Sequence, residues 1–331
     1  MLLKSSSGQI RVSTGTAAVL GLQKTKLNTE PTTAYLMTYF SGKCSANCAF
    51  CPQAQLSRSN IALLSRVSWP SFPEEAVLAG LNSSFRAKKI KRVCIQALNY
   101  PTFFIDLQKI TQSIKDNCSI PVSVSCQPKS KQEIEYLKKC GVDILSIAVD
   151  AATEELFEKI KGKERGPEYS WKKMFSRLKE AVDVFGDGNV VTHLIVGLGE
   201  SERDAVEMIQ SCRDMGVLPA LFAFTPIIGT TLEKKLPPKL EGYRRIQLAR
   251  YLIVKSNLKA EDFRFNVKGE ITSFGLLTKP LEKIIETGNP FRTSGCPDCN
   301  RPYYNEKPSG PIYNYPYNIT KEEIEKIKKQ L

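Results

Sequence analysis

Between residues 33 and 257 short apolar runs alternate with longer stretches in which apolar positions recur every three or four residues. The short runs, at 34–40, 92–97, 122–126, 144–149, 190–196 and 220–224, are rich in β-branched and aromatic residues and predict six buried strands. The stretches between them predict helices with recognisable punctuation. The one after the fifth strand opens on Ser201 with Asp204 three residues on, carries Ala205, Ile209 and Cys212 on one face, and stops at Gly216. Strands joined by helical crossovers pair in parallel with right-handed connections, so the expected fold is α/β, a partial (β/α)6 TIM-like barrel. Residues 1–32 are polar and rich in serine and threonine, and predict an N-terminal extension draped over the barrel of residues 33–257. Residues 258–331 predict a C-terminal extension, with Gly, Pro and Tyr crowded into 288–317 before a short charged helix from Lys321. No internal repeat is evident.

Composition narrows the classes. The chain has 331 residues, 42% of them hydrophobic, enough for one large domain. No apolar stretch approaches the roughly 18 residues of a membrane span, and Met1-Leu2-Leu3-Lys4 followed by serines lacks a signal-peptide core, so the expectation is a cytoplasmic protein with no membrane partner. In a reducing cytoplasm ten cysteines mean metal or redox chemistry rather than disulfides. The single histidine, His193, leaves triad hydrolysis and His-based zinc hydrolysis without residues. The net charge of +13 favours an acidic partner. Basic residues lie in short clusters at 86–92, 159–173 and 234–245 with no nucleic-acid-binding motif beside them, which disfavours nucleic acid against an acidic protein.

The chemistry concentrates in Lys43-Cys44-Ser45-Ala46-Asn47-Cys48-Ala49-Phe50-Cys51-Pro52, just beyond the first predicted strand. Three thiolates at CxxxCxxC spacing can hold three irons of a [4Fe–4S] cluster and leave the fourth open. A zinc site competes, but zinc takes four ligands from paired CxxC units or histidines, and this segment has neither. Spacing and position resemble the radical S-adenosylmethionine (SAM) enzymes. The resemblance implies a barrel of that type, SAM chelated to the open iron, and adenine contact from Phe50, the aromatic residue before the third cysteine.

Cys94 in the second strand and Cys126 at the end of the third could both face the interior, where catalytic groups of barrels gather at strand ends. A free cysteine is commonly just a small buried hydrophobe. These strands nevertheless resemble those of biotin synthase, which implies that Cys94 and Cys126 ligate a second iron–sulfur cluster. The runs Leu194 to Ser201 and Phe222 to Thr230 resemble biotin and lipoyl synthases alike. The resemblance implies adenine contacts from Ile195 and the backbone at Gly197, and a ribose contact from Asp150. Two departures stand out: Val191 occupies the register of a further biotin synthase cysteine, and His193 replaces a glycine. His193 is read as a core histidine, with cluster ligation as the competing role. Cys296 and Cys299, in Gly295-Cys296-Pro297-Asp298-Cys299, form a turn-like CxxC that could complete an auxiliary [4Fe–4S] cluster; a thioredoxin-like pair would need a βαβ context. Cys118, Cys140 and Cys212 are read as loop or helix-face residues.

The C-terminal strings Asn300-Arg301-Pro302 and Tyr313-Asn314-Tyr315-Pro316 are similar to one radical SAM subunit of the archaeal two-component lipoyl synthases. That resemblance implies a sulfurtransferase acting on a protein- or peptide-bound octanoyl-lysine, with SAM cleaved to a 5′-deoxyadenosyl radical and the auxiliary cluster as sulfur donor. It also implies three partners: a second radical SAM subunit, an acidic octanoylated carrier protein and an electron donor such as ferredoxin. The N-terminal cysteine motif of single-chain lipoyl synthases is missing, and Arg292-Thr293-Ser294 only faintly echoes their C-terminal Arg-Ser-Ser-Tyr, leaving a cluster role for Ser294 open. The competing classes are a biotin synthase-like, methylating or rearranging radical SAM enzyme and a non-catalytic iron–sulfur or zinc protein that binds nucleic acid.

Overall fold

The computed structural model describes residues 8–331. Twelve strands follow in chain order: β1 (Gln9–Val12), β2 (Thr33–Thr38), β3 (Leu63–Leu64), β4 (Val67–Ser68), β5 (Ser71–Pro73), β6 (Arg92–Gln96), β7 (Val122–Ser125), β8 (Ile144–Ser146), β9 (Val190–Val196), β10 (Val217–Ala223), β11 (Arg264–Phe265) and β12 (Ile271–Ser273). The α-helices are α1 (Thr14–Val19), α2 (Glu74–Arg86), α3 (Phe103–Asn117), α4 (Lys131–Lys139), α5 (Glu154–Ile160), α6 (Trp171–Phe185), α7 (Glu202–Asp214), α8 (Leu240–Ser256), α9 (Thr278–Glu286) and α10 (Lys321–Lys328). The main sheet runs β10-β9-β8-β7-β6-β2-β1-β5, parallel from β10 to β2. These are the six predicted strands, wrapped by crossover helices into an open barrel, and the α/β class stands.

Strand alternation separates two interiors. Val93 and Ile95 of β6 and Val122 and Val124 of β7 are buried in the apolar core, while Cys94, Gln96, Ser123 and Ser125 line the cavity enclosed by the sheet. The α7 N-terminus carries the expected capping box, with Ser201 accepting from the Asp204 N–H and Asp204 bonding back.

Two expectations about boundaries change. The segment read as draped over the barrel contributes β1, which pairs antiparallel with β2 through Ile10↔Thr38 and Arg11↔Met37 and is itself covered by β5. Without it the apolar strand β2 would be an exposed edge. Residues 1–7 of that extension lie outside the described residues. β2, β6, β7 and β8 end one to three residues before the predicted limits because the chain there leaves the ladder to form loops.

The C-terminal segment closes the other end. Asp298 O accepts from Thr32 Oγ1 at 2.5 Å, Lys91 Nζ bonds Asp298 Oδ1 at 3.2 Å, and Asn300 Oδ1 accepts the Thr32 N–H at 3.0 Å. All three contacts lie where β2 and β6 begin, so this segment plugs the amino end of the barrel. It also covers the edge strand β10, whose Leu221 N–H donates to Ser294 Oγ at 2.8 Å. Arg244 of α8, 1% exposed, anchors it through Nη1 to Tyr313 O at 2.6 Å and Nη2 to Ile312 O at 2.5 Å.

Candidate active site

The loop after β2 is held from several sides. Cys44 N–H donates to Gln53 O at 2.9 Å, Cys51 N–H to Cys48 O at 3.1 Å, and Ala49 N–H to Ile160 O at 2.7 Å. Lys43 threads its ammonium to Pro52 O and Ser59 O at 2.8 and 3.0 Å, closing the loop around the cysteines. Asn99, beyond β6, donates its N–H to Cys44 Sγ at 3.3 Å and accepts from Ser45. Cys44, Cys48 and Cys51 thus face one end of a cavity of about 280 Å³, together with Phe50 and Ile195.

Burial pushes all three thiols up, Cys51 to about 12, and for Cys48 and Cys51 neighbouring cysteines push further. Thiols in this state ionise only against a strong local cation, which is what iron supplies. Among the described residues no three His, Cys, Asp or Glu side chains close around a single metal ion. Three thiols facing one cavity match a cubane, whose irons each take one cysteine. The donor set fits a [4Fe–4S] cluster with one open position.

Asp150 follows β8 in a left-handed conformation, φ 73°, and is pinned by the isolated bridge to Leu194. Its carboxylate meets Lys161 Nζ at 2.6 Å, both nearly buried, and Lys161 also bonds Ala148 O and lies over the Tyr169 ring. The ammonium favours the ionised form of the Cys44, Cys48 and Cys51 thiols. Lys161 went unnoticed in the sequence because it lies in a run of surface-like lysines and shows its role only once α5 packs beneath the loop. Gly197 has φ 104°, and a Cβ there would sit 2.7 Å from Pro238 Cδ, so glycine is required. Its N–H is taken by Glu200 Oε1 at 2.5 Å, while Glu200 Oε2 accepts from Leu198 and Gly199.

At the amino end of the cavity a second group of thiols comes together from distant parts of the chain. Cys94, Cys296 and Cys299 act on one another electrostatically, and burial pushes Cys94 well up and Cys296 to about 11. Arg301 accompanies them, its guanidinium 3.7 Å from the Phe222 ring centroid and bonded to Ser294 O at 2.8 Å. Cys126, expected beside them, lines the same cavity just beyond the end of β7, and the charge acting on its thiol is Glu133. Ser123 and Ser125 take the cavity side of β7, and Cys126, past the end of the ladder, is 4% exposed and packs with the apolar core as well. Ser294 Oγ is engaged by Leu221 N–H.

His193 lines the cavity with its ring 4.6 Å from that of Phe222 and Nε2 3.1 Å from Ser146 Oγ, and burial lowers it to about 4. It is neutral near pH 7 and satisfied where it stands. Cys118 and Cys212 are buried, Cys140 partly so.

The family model of the Radical SAM superfamily matches residues 38–212, over half of the chain. Biotin synthase from Sulfurihydrogenibium sp. (strain YO3AOP1) is 26% identical over 257 residues, 72% of each chain. Biotin synthase from Thermodesulfovibrio yellowstonii is 27% identical over 263 residues, 77% of each. Among solved structures methylornithine synthase (PylB) superposes with a TM-score of 0.52 at 14% identity, covering 72% of this chain. The chain spans 65% of that structure's length, and the likeness speaks for the fold.

Proposed function

This chain belongs to the radical SAM superfamily, and on that premise we propose that it is a sulfur-inserting enzyme of the lipoyl synthase type, acting on an octanoyl-lysine. The observation that carries the reading is the second group of thiols, Cys94, Cys296 and Cys299, facing the same cavity as Cys44, Cys48 and Cys51. When bound, the cluster and SAM supply a deoxyadenosyl radical that takes hydrogen from an unactivated carbon, and a second cluster supplies sulfur.

The chain's own residues have the complementary tasks. Cys44, Cys48 and Cys51 would hold the SAM-binding cluster, and Cys94, Cys296 and Cys299 three positions of the auxiliary one. Phe50 and Ile195 offer apolar faces for a purine, and Asp150, oriented by Lys161, offers a carboxylate oxygen for a ribose hydroxyl. Leu64, Trp69, Leu98, Phe222 and Ile227 give the cavity an apolar wall suited to an acyl chain and able to keep water from a radical. The partners that belong with this reading are a second radical SAM subunit, an acidic octanoylated carrier protein and an electron donor such as ferredoxin.

The deciding experiment is an anaerobic assay with an octanoyl-lysyl peptide, SAM and reductant, with and without the second subunit, read by mass spectrometry. A product one sulfur heavier is expected. Deoxyadenosine without any thiolated peptide would point instead to rearrangement or methylation chemistry.

A further inference from the structure

Each of the three thiols at the amino end of the barrel has a side-chain donor of its own, and each donor comes from a different strand. Gln96 of β6 gives its amide Nε2 to Cys94 Sγ at 3.1 Å. Ser123 of β7 stands beside Cys296, and its hydroxyl favours that thiol's ionised form. Tyr35 of β2, 2% exposed, lies 3.4 Å from Cys299 Sγ through its phenol oxygen.

Direction is set by what the two hydroxyl oxygens accept. Tyr35 Oη takes the backbone N–H of Arg301 at 2.8 Å, so its single proton is left for the sulfur. Ser123 Oγ takes a guanidinium N–H of Arg92 at 3.2 Å and is in the same position towards Cys296. The ladder explains how they converge: Tyr35 is in register with Cys94, and Cys94 with Ser123, so hydroxyl, thiol and hydroxyl form one layer across three parallel strands. The CxxC rises into that layer from below and finds one donor for each sulfur. The other thiol group is served differently, by backbone N–H groups, from Asn99 to Cys44 and from Gln53 to Cys51.

Hydrogen bonds to an ionised sulfur are about twice as strong as neutral ones, and those reaching cluster sulfurs help to set the reduction potential. We infer that Tyr35, Gln96 and Ser123 are positioning residues that raise the reduction potential of an iron–sulfur cluster held by Cys94, Cys296 and Cys299. Each donor stabilises the more reduced, more negative state. The inference rests on the auxiliary-cluster reading above and adds the groups that govern when that cluster accepts an electron.

The test isolates the second cluster in the full-length chain by replacing Cys44, Cys48 and Cys51 with alanine. After anaerobic reconstitution with iron and sulfide, the midpoint potential is followed by visible absorbance and electron paramagnetic resonance. Tyr35→Phe and Ser123→Ala are each expected to keep iron and sulfide content while disfavouring reduction about tenfold, a fall of about 59 mV for a one-electron couple. Ser123→Thr, which keeps a hydroxyl, is expected to restore the parent value. An unmoved potential with an intact cluster overturns the inference alone, as does loss of the cluster from both variants, which would make the hydroxyls structural. If the parent triple-cysteine variant takes up no iron and sulfide, the auxiliary-cluster reading and this inference fail together.

Discussion

At Cys44, Cys48 and Cys51 burial opposes ionisation, and the loop's own hydrogen bonds hold the thiols in place before anything binds them. Replacing any one with alanine is therefore expected to abolish SAM cleavage while leaving far-ultraviolet circular dichroism unchanged. Deoxyadenosine formed at the parental rate by any of the three would refute the assignment. These residues were legible in the sequence because a cluster needs several thiols at short spacing. Glu306 was not legible. It is 5% exposed, takes the N–H groups of Asn305 and Asn314 at 2.9 and 2.8 Å, and is pushed by burial to about 7. For a carboxyl raised this way the folded state holds a proton that the unfolded state has lost between about pH 4.5 and 7, so stability falls across that window and levels off above it. The fall is roughly 3 kcal/mol at most. Glu306→Gln, whose amide cannot accept both N–H groups, is expected to lower stability throughout and remove that contribution to the slope, as urea unfolding between pH 4.5 and 8 would show.

Among the elements, the C-terminal segment couples fold to chemistry most directly. It carries two thiols of the second group, seals β10 and plugs the amino end of the barrel, yet it is itself largely irregular and held by side chains such as Arg244 and Asn300. The Cys44 to Cys51 loop is built from separate contacts at the carboxyl end. A Cys296→Ala, Cys299→Ala double variant is thus expected to form deoxyadenosine while transferring no sulfur, with iron dropping from about eight to about four per chain. Undiminished thiolated product would show these cysteines to be structural or redox-active only. Cysteines in a CxxC are visible in any sequence, but their companion in a strand is chosen by register. Cys94 and Cys126 both line the cavity, and the charges of Cys296 and Cys299 act on Cys94 while that of Glu133 acts on Cys126.

For the molecule as a whole the charge of +13 and the position of the cavity bear on each other. The loops bordering the carboxyl end of the cavity expose Arg58 and Lys234 beside the apolar side chains of Leu56 and Ile228, 74% and 87% exposed, and Arg58 N–H ties the two loops together at Gly229 O. Such a rim suits an acidic macromolecular substrate, with long-range attraction speeding its approach. Salt screens that attraction over a Debye length of roughly 10 Å at 0.1 M. The apparent KM for an intact octanoylated carrier protein is expected to rise between about 0.05 and 0.3 M salt, while turnover of a short octanoyl-lysyl peptide changes little. Equal responses of the two substrates would remove the docking role of the basic surface. Among the described residues no helix is long and apolar enough to cross a membrane.

Local order determined much of this protein. The six parallel strands follow from apolar runs, the α7 cap from Ser201 and Asp204, and the first thiol group from eight consecutive residues, because neighbours in the chain are neighbours in space whatever the fold. Only the tertiary structure decided the rest. It made residues 9–12 a strand, buried Lys161 against Asp150 and assembled Tyr35, Gln96 and Ser123 around sulfurs up to 264 residues away. The physical reason is that register and loop closure choose those contacts, and a slip of one position exchanges cavity for core without altering the apolar pattern from which the strands are read.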